Sequence, residues 1–315
     1  MRRWCIPFCN GTLSAEILEI YSGKLGEKRE ERWPCHLELQ YVTWIASEST
    51  AELISGSLAL VPDSSFPTQL TQGVLAIQHL IEIGVKPENI QIFGDSAGGT
   101  LIHETLSHFL HPVTGVPALS LSTPLGGVYM MSPWVRLVDE KRKYLYSNEN
   151  KGDLVTGTVL HSWGSEVLRD VPEEAIPYLD PNRAPAMWLS GVDRYVKRVL
   201  ITAGGVECLR DEIIKYQDSF KEHHKDVTFI LQENGIHNDP HWDFATQEKD
   251  LGKLTPQILD WLDENCTKRV WSKEIFSFTN WHRCYQKEEK MIVSVQFLNQ
   301  LKKSHWHEDI VLRIW

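Results

Sequence analysis

The feature that most constrains this chain is a six-residue turn, Gly94-Asp95-Ser96-Ala97-Gly98-Gly99. Before it, Asn89-Ile90-Gln91-Ile92-Phe93 alternates as a short strand does, and after it residues 100–110 read as a helix. A serine set between a strand and a helix on so tight a turn has its hydroxyl presented outward. The glycines at 94 and 98 let the backbone turn sharply and let the neighbouring elements pack closely.

The rest of the chain must supply a frame for that turn. Pro62-Asp63-Ser64-Ser65-Phe66-Pro67 is a turn cluster, followed by Leu70, Val74, Leu75, Ile77, Leu80 and Ile81 on one face of a helix that ends near Gly84. Further strands are expected at residues 51–61, 127–135, 196–202 and 227–232, with helices at 209–223 and 254–262. Strands alternating with helices predict an α/β fold whose mostly parallel sheet is covered on both faces. Toward the N-terminus, residues 14–21 could begin a helix, 24–32 form a dense run of mixed charge, and 37–46 suit a buried helix face. The last 49 residues break the rhythm, and only residues 293–297 keep a clean two-residue period.

A lone serine hydroxyl is a poor nucleophile at neutral pH, so it needs a histidine base, and the histidine needs a carboxylate to fix its tautomer. Glu207 follows one predicted strand in Gly204-Gly205-Val206-Glu207-Cys208-Leu209-Arg210-Asp211, and His237 follows the next in Gly235-Ile236-His237. Groups beyond the carboxyl ends of parallel strands collect at one edge of the sheet. Ser96, Glu207 and His237 are therefore expected together, with Asp211 as the substitute acid and His241 as the rival histidine.

These blocks carry a resemblance. The G-D-S-A-G-G turn, the upstream Leu60-Val61-Pro62-Asp63 with Phe66-Pro67, the Glu207–Asp211 block and Gly235-Ile236-His237-Asn238-Asp239-Pro240 look like the hormone-sensitive-lipase-like branch of the α/β-hydrolases, nearest to its fungal-type esterases. The likeness covers roughly residues 36–266 and implies an α/β-hydrolase fold with a small helical cap at about 140–190. It makes Ser96 the nucleophile, His237 the general base and then acid, Glu207 the orienting carboxylate, and the Ala97 N–H one oxyanion donor. Trp163 and Trp188, with Tyr178 and Leu189, could wall an acyl or alcohol pocket or could merely pack the cap onto the sheet. The expected activity is serine-dependent hydrolysis of carboxylic esters of a small or medium hydrophobic metabolite, with no cofactor and no metal, in the setting of fungal secondary metabolism. Amide hydrolysis and acyl transfer remain open. The alternative from another class is a small-molecule binding protein or an inactive truncated hydrolase.

One departure bears on activity. The family's H-G-G-G-type oxyanion loop would fall about 70 residues before the serine, near Gly23-Lys24-Leu25-Gly26, where no such motif stands. Either the segment 1–35 has diverged, with Gly23 or Gly26 as donors, or the chain is a misassembled gene product; the unmatched tail 267–315 leans the reading to the second.

Other features narrow the class. Residues 36–266 hold 17 Lys+Arg and 32 Asp+Glu, a net −15, and the whole chain carries −10, so nucleic acid would be repelled. Six scattered cysteines without a C-x-x-C pair point to reduced thiols. No apolar run approaches a membrane span or a signal peptide, which sets the expectation at a cytoplasmic chain. His103-Glu104-Thr105-Leu106-Ser107-His108 imitates a zinc-binding H-E-x-x-H, but its histidines are five apart and do not share a helix face, so it reads as a surface histidine cluster.

Overall fold

The computed structural model describes residues 4–7, 52–57, 61–62, 64–138, 152–245, 252–263 and 310–314. The expectations for residues 14–21, 23–26, 24–32, 37–46 and 293–297 lie outside them.

In chain order the elements are β1 (Trp4–Pro7), β2 (Glu52–Ser57), α1 (Thr68–Glu82), β3 (Ile90–Asp95), α2 (Ala97–Leu110) and β4 (Gly127–Met131). The cap contributes α3 (Gly157–Val167) and α4 (Ile176–Leu179). There follow β5 (Val199–Gly204), α5 (Arg210–Lys221), β6 (Val227–Gln232), α6 (Pro240–Ala245), α7 (Leu254–Asp263) and β7 (Ile310–Ile314). The strands form one sheet in the order β1-β2-β7-β3-β4-β5-β6, and every neighbouring pair is parallel. The sheet thus draws a strand from each flank of the 36–266 region. β7 lies between β2 and β3, so the 267–315 segment is not wholly separate from the domain.

Period-two alternation builds two cores. Ile90, Ile92, Val128, Met130, Val199 and Ile201 face the larger one, with Leu70, Val74, Ile77 and Leu80 from α1. Phe93, Tyr129, Met131 and Leu200 face the other side, where Leu254, Ile258, Trp261 and Leu262 of α7 cover them. The expected two-faced burial follows directly from this alternation.

Helix α2 is enclosed all round. Residues 98 to 109 are all buried, because α2 lies on the sheet and packs against both α1 and α4. This corrects the surface reading of His103 and His108. Both are buried; His103 Nε2 lies 3.0 Å from the Pro177 carbonyl oxygen and His108 Nε2 3.0 Å from that of Pro117.

Candidate active site

The turn between β3 and α2 requires its glycines for space. A Cβ on Gly94 would stand 2.4 Å from the Gly98 carbonyl oxygen, and one on Gly99 would stand 2.5 Å from Pro133 Cβ. Ser96 itself has φ 52° and ψ −113°, a conformation that costs a non-glycine residue of order 1–3 kcal/mol and persists only where its surroundings hold it. The holding bonds run to the end of β4: Ser96 N–H donates to the Met131 carbonyl and Trp134 N–H to the Ser96 carbonyl, each at 2.9 Å.

Glu207 follows β5 and His237 follows β6, and the two loops are joined through their backbones. Gly205 N–H donates to the Gln232 carbonyl at 2.7 Å and Val206 N–H to that of Gly235 at 3.0 Å. The approach is close enough that a Cβ on Gly204 would fall 2.3 Å from the Gly235 carbonyl oxygen. In this arrangement His237 Nε2 lies 3.0 Å from Ser96 Oγ, and His237 Nδ1 lies 3.3 Å from Glu207 Oε2. Glu207 is 0% exposed and His237 3%.

Electrostatics favour the charged form of His237. Burial works against a charged imidazole, but the hydrogen bond and charge of Glu207, with the charges of Asp153 and Asp95, outweigh it and hold the His237 pKa above 6.5. Burial pushes the Glu207 carboxyl up from its ordinary range, opposed by its bonds to His237 and Ser132. A carboxylate on Nδ1 keeps the proton there, which leaves the Nε2 lone pair facing the Ser96 hydroxyl.

The structure brings Ser96, Glu207 and His237 together and leaves the substitutes apart. Asp211 is exposed and accepts from Arg210 Nε at 2.7 Å, and His237 rather than His241 reaches Ser96. Ala97 is the first residue of α2, where a helix N–H has no intrahelical acceptor. Trp163 is 55% exposed on α3. Trp188 lies elsewhere. It stacks on His111 with centroids 4.0 Å apart, meets Tyr178 edge-on, and donates Nε1–H to Ser107 Oγ at 2.9 Å. His111 caps the far end of α2, about 20 Å along the helix from Ser96 at 1.5 Å per residue. These contacts fit the packing alternative for Trp188.

Sequence reasoning missed two supporting residues. Ser132 has φ 44°, accepts the Asn238 N–H on Oγ at 3.1 Å, and bonds to Glu207. It follows β4 directly, so the rule that groups collect beyond strand ends would have found it. Asp153 was carried by no motif; it meets the backbone N–H of both Cys208 and His237. Among the described residues no group of three or more His, Cys, Asp or Glu could hold a metal ion, and no helix is long and apolar enough to cross a membrane.

Comparison with known proteins agrees with this fold. A Schizosaccharomyces pombe protein, mug81, which carries the name of a steryl acetyl hydrolase, is 27% identical over 155 residues, 48% of this chain and 39% of its own. This chain therefore spans about two fifths of that relative's length. A carboxyl esterase 2 of the mycorrhizal fungus Tuber melanosporum superposes with a TM-score of 0.58 at 19% identity over 72% of each chain. A hormone-sensitive lipase from a metagenome library does so at 0.59 and 20% identity, over 72% of this chain and 71% of that one. At these identities the superpositions speak for the fold. A family model described as alpha/beta hydrolase fold matches residues 35–240, more than half of the chain, and the chain belongs to that family.

Proposed function

We propose that the chain is a serine hydrolase that cleaves carboxylic esters of a small or medium hydrophobic metabolite. The observation that carries this reading is the relay of contacts from Ser96 Oγ through the His237 imidazole to Glu207, at 3.0 and 3.3 Å. The names of the relatives, a steryl acetyl hydrolase and a carboxyl esterase, support an ester as substrate.

In this mechanism His237 Nε2 takes the Ser96 proton as Oγ attacks the ester carbonyl carbon. The imidazolium that forms is stabilised by Glu207, Asp153 and Asp95. The tetrahedral oxyanion receives the Ala97 N–H at the start of α2, where the helix dipole favours negative charge. His237 then returns its proton to the departing alkoxide, leaving an acyl group on Ser96 Oγ. Water, deprotonated by His237 in turn, hydrolyses that acyl-enzyme and restores the serine. Trp163, on the helix that follows Asp153, is the cap tryptophan that remains to offer substrate an apolar surface.

The test is labelling of the purified protein by a fluorophosphonate, together with turnover of a short p-nitrophenyl ester. Both are expected, and Ser96→Ala should abolish the label and lower kcat/KM by roughly 10⁴-fold or more. A folded wild-type protein that takes no label would show a binding protein or an inactive hydrolase instead.

A further inference from the structure

We propose that Asp153 is a positioning residue of this same site: its carboxylate ties the Glu207 loop to the His237 loop and so sets the contact between acid and base. The inference rests on the serine-hydrolase reading for its kinetic consequences and on geometry for its substance.

The two loops leave neighbouring strands, β5 and β6, and meet one side chain from a third segment. Asp153 Oδ2 accepts the Cys208 N–H at 2.7 Å, one residue from Glu207. Asp153 Oδ1 accepts the N–H of His237 itself at 2.8 Å, and that of Leu154 at 2.8 Å. A second bond holds the same segment down, from the buried Cys208 Sγ to the Val155 carbonyl at 3.2 Å. Bonds from N–H groups to an ionised acceptor are roughly twice as strong as neutral ones. A carboxylate suits this place because it is acceptor-only and offers one oxygen to each loop.

An asparagine of the same size would turn an amide N–H₂ toward one of those two donors. One loop would then lose its anchor, and the 3.3 Å separation of His237 Nδ1 and Glu207 Oε2 has little slack. The charge matters as well. Three carboxylates act on the His237 imidazole by their charge from three elements: Glu207 after β5, Asp95 at the end of β3, and Asp153 before α3. Only Asp153 belongs to the segment leading into the cap helices, so the positioning joins the cap to the triad.

The experiment compares wild type with Asp153→Asn by three measurements: steady-state kinetics on a p-nitrophenyl ester, the rate of fluorophosphonate labelling, and NMR titration of the His237 imidazole. The expected result is a loss of about 10- to 100-fold in kcat, of the size a displaced catalytic group costs, with KM little changed and labelling slowed in parallel. The His237 titration and the acid limb of kcat/KM should both move to lower pH. A merely structural role would lower the melting temperature without moving that titration. A folded Asp153→Asn protein with wild-type labelling and an unshifted titration would overturn the inference. Should Asp153→Asn not fold, Asp153→Glu keeps the charge and both acceptors but lengthens the arm; a several-fold loss of kcat at constant KM is expected, and wild-type kcat would overturn it. If the wild-type protein itself takes no label, the hydrolase reading fails, while the titration shift still decides the role of Asp153.

Discussion

Two serine–histidine pairs stand toward opposite ends of helix α2, and they differ in what occupies the second imidazole nitrogen. At the N-terminal end Ser96 Oγ is 3.0 Å from His237 Nε2, and the acid Glu207 lies at Nδ1. Near the C-terminal end Ser107 Oγ is 3.2 Å from His103 Nε2, but Tyr216 Oη lies at Nδ1, 3.0 Å away. The carbonyl of Pro177, which only accepts, also faces His103 Nε2. The proton of that ring therefore sits on Nε2, and Ser107 meets an N–H where Ser96 meets a lone pair. Burial with neutral partners lowers the His103 pKa to about 4, whereas the carboxylates around His237 raise its own. A serine beside a histidine is thus no site by itself; the partner of the far nitrogen decides which way the proton can move.

Substitutions can break this contrast. The largest effect is expected from Glu207→Gln, which should leave the protein folded but lower kcat/KM by roughly 10³- to 10⁴-fold, because the amide no longer fixes the tautomer. His103→Gln, which can still bridge Tyr216 and the Pro177 carbonyl, should change kcat/KM by no more than about twofold while costing on the order of 1 kcal/mol of stability. A comparable loss of activity in both variants would erase the distinction between the pairs.

A second contrast is in pH. The activity should fall on acidification with a midpoint above 6.5, since His237 must be neutral to take the serine proton. Stability should respond to the other end of α2. The contribution of His103 is present above its unfolded value of 6.5 and lost as the pH falls toward about 4. Glu104, buried beside it in sequence, is pushed up to about 8 from 4.5 by burial alone. Its contribution is present below 4.5 and lost as the pH rises through about 8. Of these two groups only Glu104 still changes its contribution above pH 6.5, so Glu104→Gln should raise the melting temperature more at pH 8 than at pH 5. Equal gains at the two values would remove Glu104 from the account.

The smallest effect concerns the cap. Trp188→Phe removes the N–H bonded to Ser107 Oγ and should cost about 1 kcal/mol of stability, with kcat and KM unchanged. A changed KM would return Trp188 to the substrate's surroundings.

Much of the frame was legible residue by residue. The helix read from Leu70 to Ile81 is α1, and the strand read at residues 227–232 is β6 with the same bounds, because burial on one stripe or on alternate sides leaves a period in the sequence. The serine turn was legible because its glycines answer a steric demand. Trp188 was not, since an aromatic in an irregular cap obeys no period and its neighbours, His111 and Ser107, are 77 and 81 positions away. The same distance hid Asp153, whose partners are 55 and 84 positions off. The sense of His103 was also lost, because an α-helix enclosed on every side has no polar face to mark what is exposed.

By itself the sequence determined that a serine would be presented between a strand and a helix, followed by an acid and a histidine at later strand ends. Short-range sterics and the order of parallel strands suffice for that. The tertiary structure decided which histidine has a carboxylate behind it, which tryptophan is spent on packing, and that one aspartate from the segment leading into the cap helices meets both the Glu207 and the His237 loops. Those outcomes depend on hydrogen bonds and charges between residues far apart in the chain, where the direction of a lone pair and the loss of water count for more than residue type.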